Sequence, residues 1–143
     1  MRHLKGRAKL GKTGAHKRCM FANMLKSLID CERIETTLAK GKELKKYADK
    51  IITLAKKDDI AAKRLVKSRL MIRYNTLTSK EKKEVKLKND LSSYNTDRKV
   101  IKKLFTDLKE RYLQRNGGYT RIIIGDKVRV GDGSTKCFVE YIK

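Results

Sequence analysis

No acidic side chain stands before Asp30, although the 29 residues ahead of it carry eight Lys or Arg together with His3 and His16. No folded core requires charge of one sign alone, whereas a polyanionic partner does. Other absences narrow the field further. No stretch approaches the roughly 20 apolar residues of a membrane helix, and no long apolar segment follows the basic start, so a soluble, cytoplasmic protein without a membrane partner is expected. A mitochondrial-type transit peptide fits less well, because Ser27 is the only serine in the acid-free stretch. Cys19, Cys31 and Cys137 are odd in number and widely spaced, which supplies neither a disulfide framework nor the paired spacing of zinc ligands. Proline and tryptophan are missing altogether, and so are a nucleophile elbow, a phosphate-cradling P-loop and any metal-spaced set of His or carboxylates. The expectation is therefore no enzyme, no cofactor, no metal and no small-molecule substrate. Asp58 and Asp59 are adjacent acids that read as caps at a helix start rather than as an acid/base pair.

What is present points one way. With 38 Lys or Arg against 16 Asp or Glu, the formal charge is +22 on 143 residues, which calls for a phosphate-rich partner. A chain of this length buries about two-thirds of its unfolded surface, enough for one core but not for several.

The chain divides into a basic arm over residues 1–15 and a single globular domain over 16–143. In the arm, Gly6, Gly11 and Gly14 interrupt a run of Arg2, Lys5, Arg7, Lys9 and Lys12 with almost no apolar period. From His16 to about Asp30, Met20, Phe21, Met24, Leu25, Leu28 and Ile29 follow helical spacing, while Lys17, Arg18 and Lys26 extend the arm's charge. Arg33 to Glu35 reads as a short extended link, after which Thr37 can cap a second helix striped by Leu44, Tyr47, Ala48, Ile51, Ile52 and Ala55. A third helix follows Asp59 on Ala61, Ala62, Leu65, Val66 and Leu70. Residues 75–95 turn to Thr, Ser, Asn and Lys and read as a variable insertion, within which Thr78 to Glu81 match a capping box. A fourth core helix carries Val100, Ile101, Leu104, Phe105, Leu108 and Tyr112, with Asn116 and Gly117 as its stop. Tyr119 to Val130 and Cys137 to Ile142 have the period of two antiparallel strands. The expected class is α+β, with helices packed on one side of a small, mainly antiparallel sheet.

Two stretches carry candidate chemistry. The first is the acid-free start, where Arg2, His3, Lys5, Arg7, Lys9, Lys12, His16, Lys17, Arg18 and Lys26 suit contact with phosphate. The second is Arg115 to Arg121. There Gly117 and Gly118 permit a tight turn and close approach, Arg115 and Arg121 can grip phosphates, and Tyr119, followed by Thr120, can stack on an unpaired base. A plain helix-to-strand turn with a packed tyrosine fits the same spacing.

These motifs together resemble the bacterial large-subunit ribosomal protein numbered seventeen. The resemblance runs through Met1, Arg2 and His3, then His16, Arg18, Met20, Asn23 and Met24, then Arg33 to Thr37. It continues through Ile52 to Lys56, Gly117 to Arg121, and Arg129, Gly131 and Asp132, covering nearly the whole chain outside 75–95. It implies an α+β domain with a basic N-terminal extension, non-enzymatic and cytoplasmic within the ribosome. Its partners would be large-subunit rRNA and neighbouring large-subunit proteins near the outer end of the peptide exit tunnel. Asn23 and Arg129 join the candidate RNA-binding residues on this basis. Ala39 stands where the family commonly has proline, and the 75–95 stretch is longer than usual. The rival expectation from charge alone is a nucleoid-associated protein that coats duplex DNA, against which stands the lack of a groove-reading helix pair.

Overall fold

Helix α1 spans Gly14–Cys31 in the computed structural model, which describes residues 8–74, 76–88 and 96–143. It opens two residues before the expected start because Thr13 is its N-cap, accepting a hydrogen bond from the His16 amide at 3.4 Å. Phe21, Ala22, Leu25, Leu28 and Ile29 form its buried face. Ahead of the cap, Leu10 packs against the core, so the later part of the expected arm lies on the body, while Met1 to Arg7 fall outside the described residues.

The helix ends on Glu32, which sits at φ 61° and donates its amide to the Leu28 carbonyl at 2.8 Å. Glycine usually occupies this left-handed position. Here the glutamate carboxylate earns its place through Arg111 and Lys103, at 2.7 and 2.8 Å, tying the end of α1 to the last long helix. Those hydrogen bonds, Arg111 first, hold the carboxyl down at about 2.

The stretch expected as an extended link is strand β1 (Arg33–Thr37). It pairs antiparallel with β3 (Thr135–Tyr141), Arg33 opposite Glu140 and Thr37 opposite Lys136. Helix α2 (Leu38–Lys57) follows at once, with Thr37 at the N-cap position but its hydroxyl making no capping bond. α2 buries Leu44, Ala48, Ile51, Ile52 and Ala55 and touches all three strands. Its Gly41 faces β3 so closely that a Cβ there would lie 2.7 Å from Cys137 Sγ.

Asp58 and Asp59 divide their labour. Asp58 ends α2 at φ 50°, and its carboxylate takes Lys109 at 2.7 Å and Lys63 at 2.8 Å, which hold it down at about 2, Lys109 first. Asp59 occupies the N-cap of α3 (Ile60–Arg69) without a side-chain capping bond, so the expected pair of helix-start acids is split between a stop and a start. Helix α4 (Ser79–Lys88) opens with the expected capping box: the Thr78 amide donates to Glu81 Oε2 at 2.7 Å, and the Glu81 amide donates to Thr78 Oγ1 at 3.4 Å. The rest of the insertion, Asn75 and residues 89–95, lies outside the described residues.

The last rod, α5, begins at Thr96–Lys103, passes through a π-helical stretch at Leu104–Leu108, and ends in an α turn at Lys109–Arg111. Its core positions Val100, Leu104, Leu108 and Tyr112 are spaced strictly by four and all buried. In a regular α-helix each step of four turns about 40° past one full turn, so Tyr112 would have swung about 120° away from Val100. The wider π turn takes up that drift and keeps all four on one line.

Strands β2 (Thr120–Val128) and β3 (Thr135–Tyr141) complete a three-stranded antiparallel sheet in the order β1-β3-β2. The sequence pointed to two strands; the third is β1. Cys137, Val139 and Tyr141 of the central strand turn towards the helices and are buried, whereas Lys136, Phe138 and Glu140 form the opposite face. The architecture is α+β with the helices on one side of the sheet.

Candidate nucleic-acid interface

Many of the described cations are already paired with acids, and a cluster of unpaired ones marks the candidate interface. On the sheet's outer face they are neutralised. Arg121 and Arg33 converge on Glu140, and Lys136 meets Glu35 at 3.0 Å. Arg33 also lies 4.2 Å over the Phe138 ring. Arg129 closes the β2–β3 turn by pairing with Asp132, which holds the Asp132 carboxyl well below the usual carboxylate range. Lys26 on α1 is tied to Asp97 of α5 at 3.1 Å. Arg121, Arg129 and Lys26, all expected to reach RNA, are thus already engaged within the protein.

The Arg115–Arg121 stretch also divides. Tyr119 is 2% exposed and packs on Tyr112 with ring centroids 5.1 Å apart, so its ring belongs to the core and is not presented to a base. Thr120 is buried, its hydroxyl donating to Asp49 Oδ1 at 2.9 Å. Of the two readings that spacing left open for this tyrosine, packing is the one the structure bears out. The turn itself remains outside: Arg115, Gly117 and Gly118 are exposed, the Arg115 guanidinium donates to the Gly117 carbonyl at 3.2 Å, and Lys56 donates to the Arg115 carbonyl at 2.7 Å. Gly118 is needed for its φ of 61°, since a Cβ there would meet nothing within 4 Å. Valine at that position would strain the backbone whatever approached it, so it would not separate a binding role from a folding role.

A cluster of unpaired cations lies along α1 and the end of α3. Lys9, Lys12 and Arg18 are exposed and Lys17 half-buried, with no acidic partner among the described residues. His16 and Asn23 share this exposed surface. Arg2, His3, Lys5 and Arg7 lie outside the described residues.

Of these side chains, Lys17 and Arg18 border a groove of about 940 Å³ between α1, α2 and the chain leaving α3. Its lining holds six cations, Lys17, Arg18, Lys50, Lys67, Arg69 and Arg73, against one acid, Glu43. That acid is itself paired with Lys46 at 2.8 Å. Tyr47, 39% exposed, lies at the groove with one side against Phe21, centroids 5.0 Å apart. Ala8, the first described residue, also lines the groove. A second hollow, about 850 Å³, is bordered by both signs of charge, with Lys42, Lys45 and Lys46 beside Glu43 and Asp49. A concave surface lined by one sign focuses its field on a polyanion; a mixed one does not.

Sequence reasoning placed Tyr47 in a core stripe, left Lys50 on a basic helix face open equally to nucleic acid and to solvent, and gave Lys67, Arg69 and Arg73 no role. Their convergence has no linear signal, because three separate segments meet there. Among the described residues no group of three or more His, Cys, Asp or Glu is placed to hold a metal ion. No helix among them is long and apolar enough to cross a membrane.

Comparison with known proteins agrees with the basic surface. The family model described as ribosomal protein L17 matches residues 20–142. The chain is 59% identical to the large ribosomal subunit protein bL17 of Chlamydia abortus over 142 residues, covering 99% of both chains. It is 58% identical to bL17 of Chlamydia trachomatis serovar L2 and 54% identical to bL17 of Chlamydia pneumoniae, again covering 99% of each. Together with an α+β body that carries a groove lined by six cations, these matches establish that the chain belongs to the ribosomal protein L17 family.

Proposed function

We propose that this chain is a structural constituent of the large ribosomal subunit, binding and stabilising large-subunit rRNA through the acid-free start, the exposed side of α1 and the basic groove. The observation that carries the reading is the charge of the groove: six cations line it against one acid, itself paired with Lys46, whereas Arg121, Arg33 and Lys136 on the sheet face are neutralised inside the protein. Unneutralised charge on one side is what phosphate contacts require, and such contacts position more than they read sequence.

Within this reading, Arg2, His3, Lys5, Arg7, Lys9, Lys12, His16, Lys17, Arg18 and Asn23 form the principal contact. The stretch ahead of the Leu10 contact and the Thr13 cap acts as an arm ordered by RNA, at an ordering cost met by the contacts. Arg115 with the exposed Gly117–Gly118 turn adds a second contact on the body. The chain acts by binding rather than by catalysis, and its compartment is the cytoplasm, in the ribosome. The tunnel-exit position and the protein neighbours there belong to the same proposal. The rival, a protein coating duplex DNA, lacks support from relatives that are all named for the large ribosomal subunit.

Sedimentation of a lysate tests the reading: the protein should co-migrate stoichiometrically with the large subunit, and co-migration with DNA would overturn it. Removal of Met1–Arg7, which spares the Leu10 contact and the Thr13 cap, should lower the salt slope of rRNA binding by about 2 to 3. That is the share of three duplex phosphate contacts at ~0.9 each. An unchanged slope would remove the arm from the interface.

A further inference from the structure

We infer that the groove between α1, α2 and the end of α3 holds one unpaired nucleotide of the bound RNA, its base laid against Tyr47 and its neighbouring phosphates gripped by Lys17, Arg18, Lys50, Arg69 and Arg73. The inference rests on the RNA-binding reading above and assigns one site within it.

Three observations converge. The groove's volume, about 940 Å³, lies within the ~300–1,000 Å³ typical of sites that enclose one drug-sized molecule, the class to which a nucleotide belongs. A duplex is too broad for such a space, so what enters must be splayed out of a helix. The groove is also not simply basic. Tyr47 stands in a stripe whose other members are buried, yet 39% of it is exposed at the groove. Phe21 backs it at 5.0 Å with the rings inclined by 35°, so the tyrosine is supported on one side and open on the other. Aromatic platforms bordered by cations are how proteins hold unpaired bases, because every base has a face to stack and every backbone has phosphates to grip.

Finally, the cations come from separate elements around the ring. Lys17 and Arg18 lie on α1, Lys50 on α2, Arg69 at the end of α3 and Arg73 beyond it. Charges distributed in this way can follow a bent backbone on both sides of an extruded base. A flat phosphate ridge would be met as well by cations on one helix face. An acidic protein segment would satisfy the charges but leave the aromatic floor unused, which favours RNA.

The test uses the full chain and two RNA hairpins, one fully paired and one with a single-nucleotide 2-aminopurine bulge. The bulged RNA should bind the parent protein more tightly, with its fluorescence quenched on stacking. Tyr47→Ala should weaken bulged-RNA binding by about 5- to 100-fold, leave paired-RNA binding within about twofold, and abolish the quench. Tyr47→Phe should retain both, and Lys50→Ala should weaken binding while keeping the quench. Because the quench is read on the parent protein, the test survives a variant that fails to fold. No quench with the parent, or equal loss for both hairpins on Tyr47→Ala, overturns the groove assignment while leaving RNA binding intact. Failure of the parent to bind either hairpin overturns both readings. Tyr47-dependent binding of a polyglutamate peptide that displaces the bulged RNA would assign the groove to an acidic protein segment and overturn the proposal.

Discussion

Glu32→Gln should cost this fold about 1–2 kcal/mol at neutral pH, and the loss should shrink as the solution is acidified. The glutamate carboxyl, ordinarily near 4.5, is held at about 2 in the folded protein, first by Arg111 and then by Lys103. At 1.36 kcal/mol per pH unit that gap corresponds to a ceiling of about 3 kcal/mol. Glu32 and Arg111 keep 26% and 31% of their side chains in water, and solvent screening reduces the ceiling to the figure given. A folded-state value below the unfolded one stabilises fully above about pH 4.5 and is lost as pH falls towards 2, so by pH 3 less than half of the difference should remain. Glutamine keeps the length of the side chain and the left-handed backbone and removes only the charge. Urea unfolding of both proteins followed by circular dichroism at pH 7, 5 and 3 measures the gap. Equal stability at pH 7, or a gap that does not narrow between pH 5 and 3, would refute the assignment of this carboxylate as the clasp between α1 and α5.

Gly41→Ala in a helix interior would normally gain up to ~1 kcal/mol, but here the added Cβ would lie 2.7 Å from Cys137 Sγ and 3.2 Å from a Val139 methyl. A net loss of about 1–3 kcal/mol is expected in chemical denaturation, and any stabilisation would show that α2 can lift from β3 without penalty. Thr78→Ala removes the capping hydroxyl of α4 and should destabilise that helix locally by about 1 kcal/mol. No α4 side chain described is buried, so amide exchange should quicken over 79–88 while the global unfolding midpoint stays put. A fall in that midpoint would place α4 in the cooperative core.

Most of the fold was readable because its helices carry their apolar faces in local sequence. α1, α2, α3 and α5 each announce themselves through residues three or four apart, and the α4 capping box spans only Thr78 to Glu81. β1 was harder, since Arg33 and Glu35 face outwards and only Ile34, among large apolar residues, faces in. Its strand character comes from pairing with β3, about a hundred residues later in the chain. The candidate site shows the same limit. Individual cations on α1 were visible, but whether a cation is available depends on where the acids fold: Glu140 reaches Arg121 and Asp97 reaches Lys26 across distances that spacing does not report. Tyr47 and Tyr119 exchange roles for the same reason. The first lies at the edge where α1 and α2 part, and the second closes over Tyr112.

The π-helical turn at Leu104–Leu108 makes the length of α5 negotiable. It holds one residue more than an α turn would, so a chain shorter by one residue there could close into regular helix. Its inward positions would then be spaced four, three and four, the usual rhythm of an amphipathic α-helix. A single-residue deletion in most helices rotates everything beyond it by about 100° and turns the core face outwards. At this one turn it would instead relax an overlong repeat, so α5 contains a slip joint at which a length change leaves Tyr112, and the strands packed beyond it, facing as before.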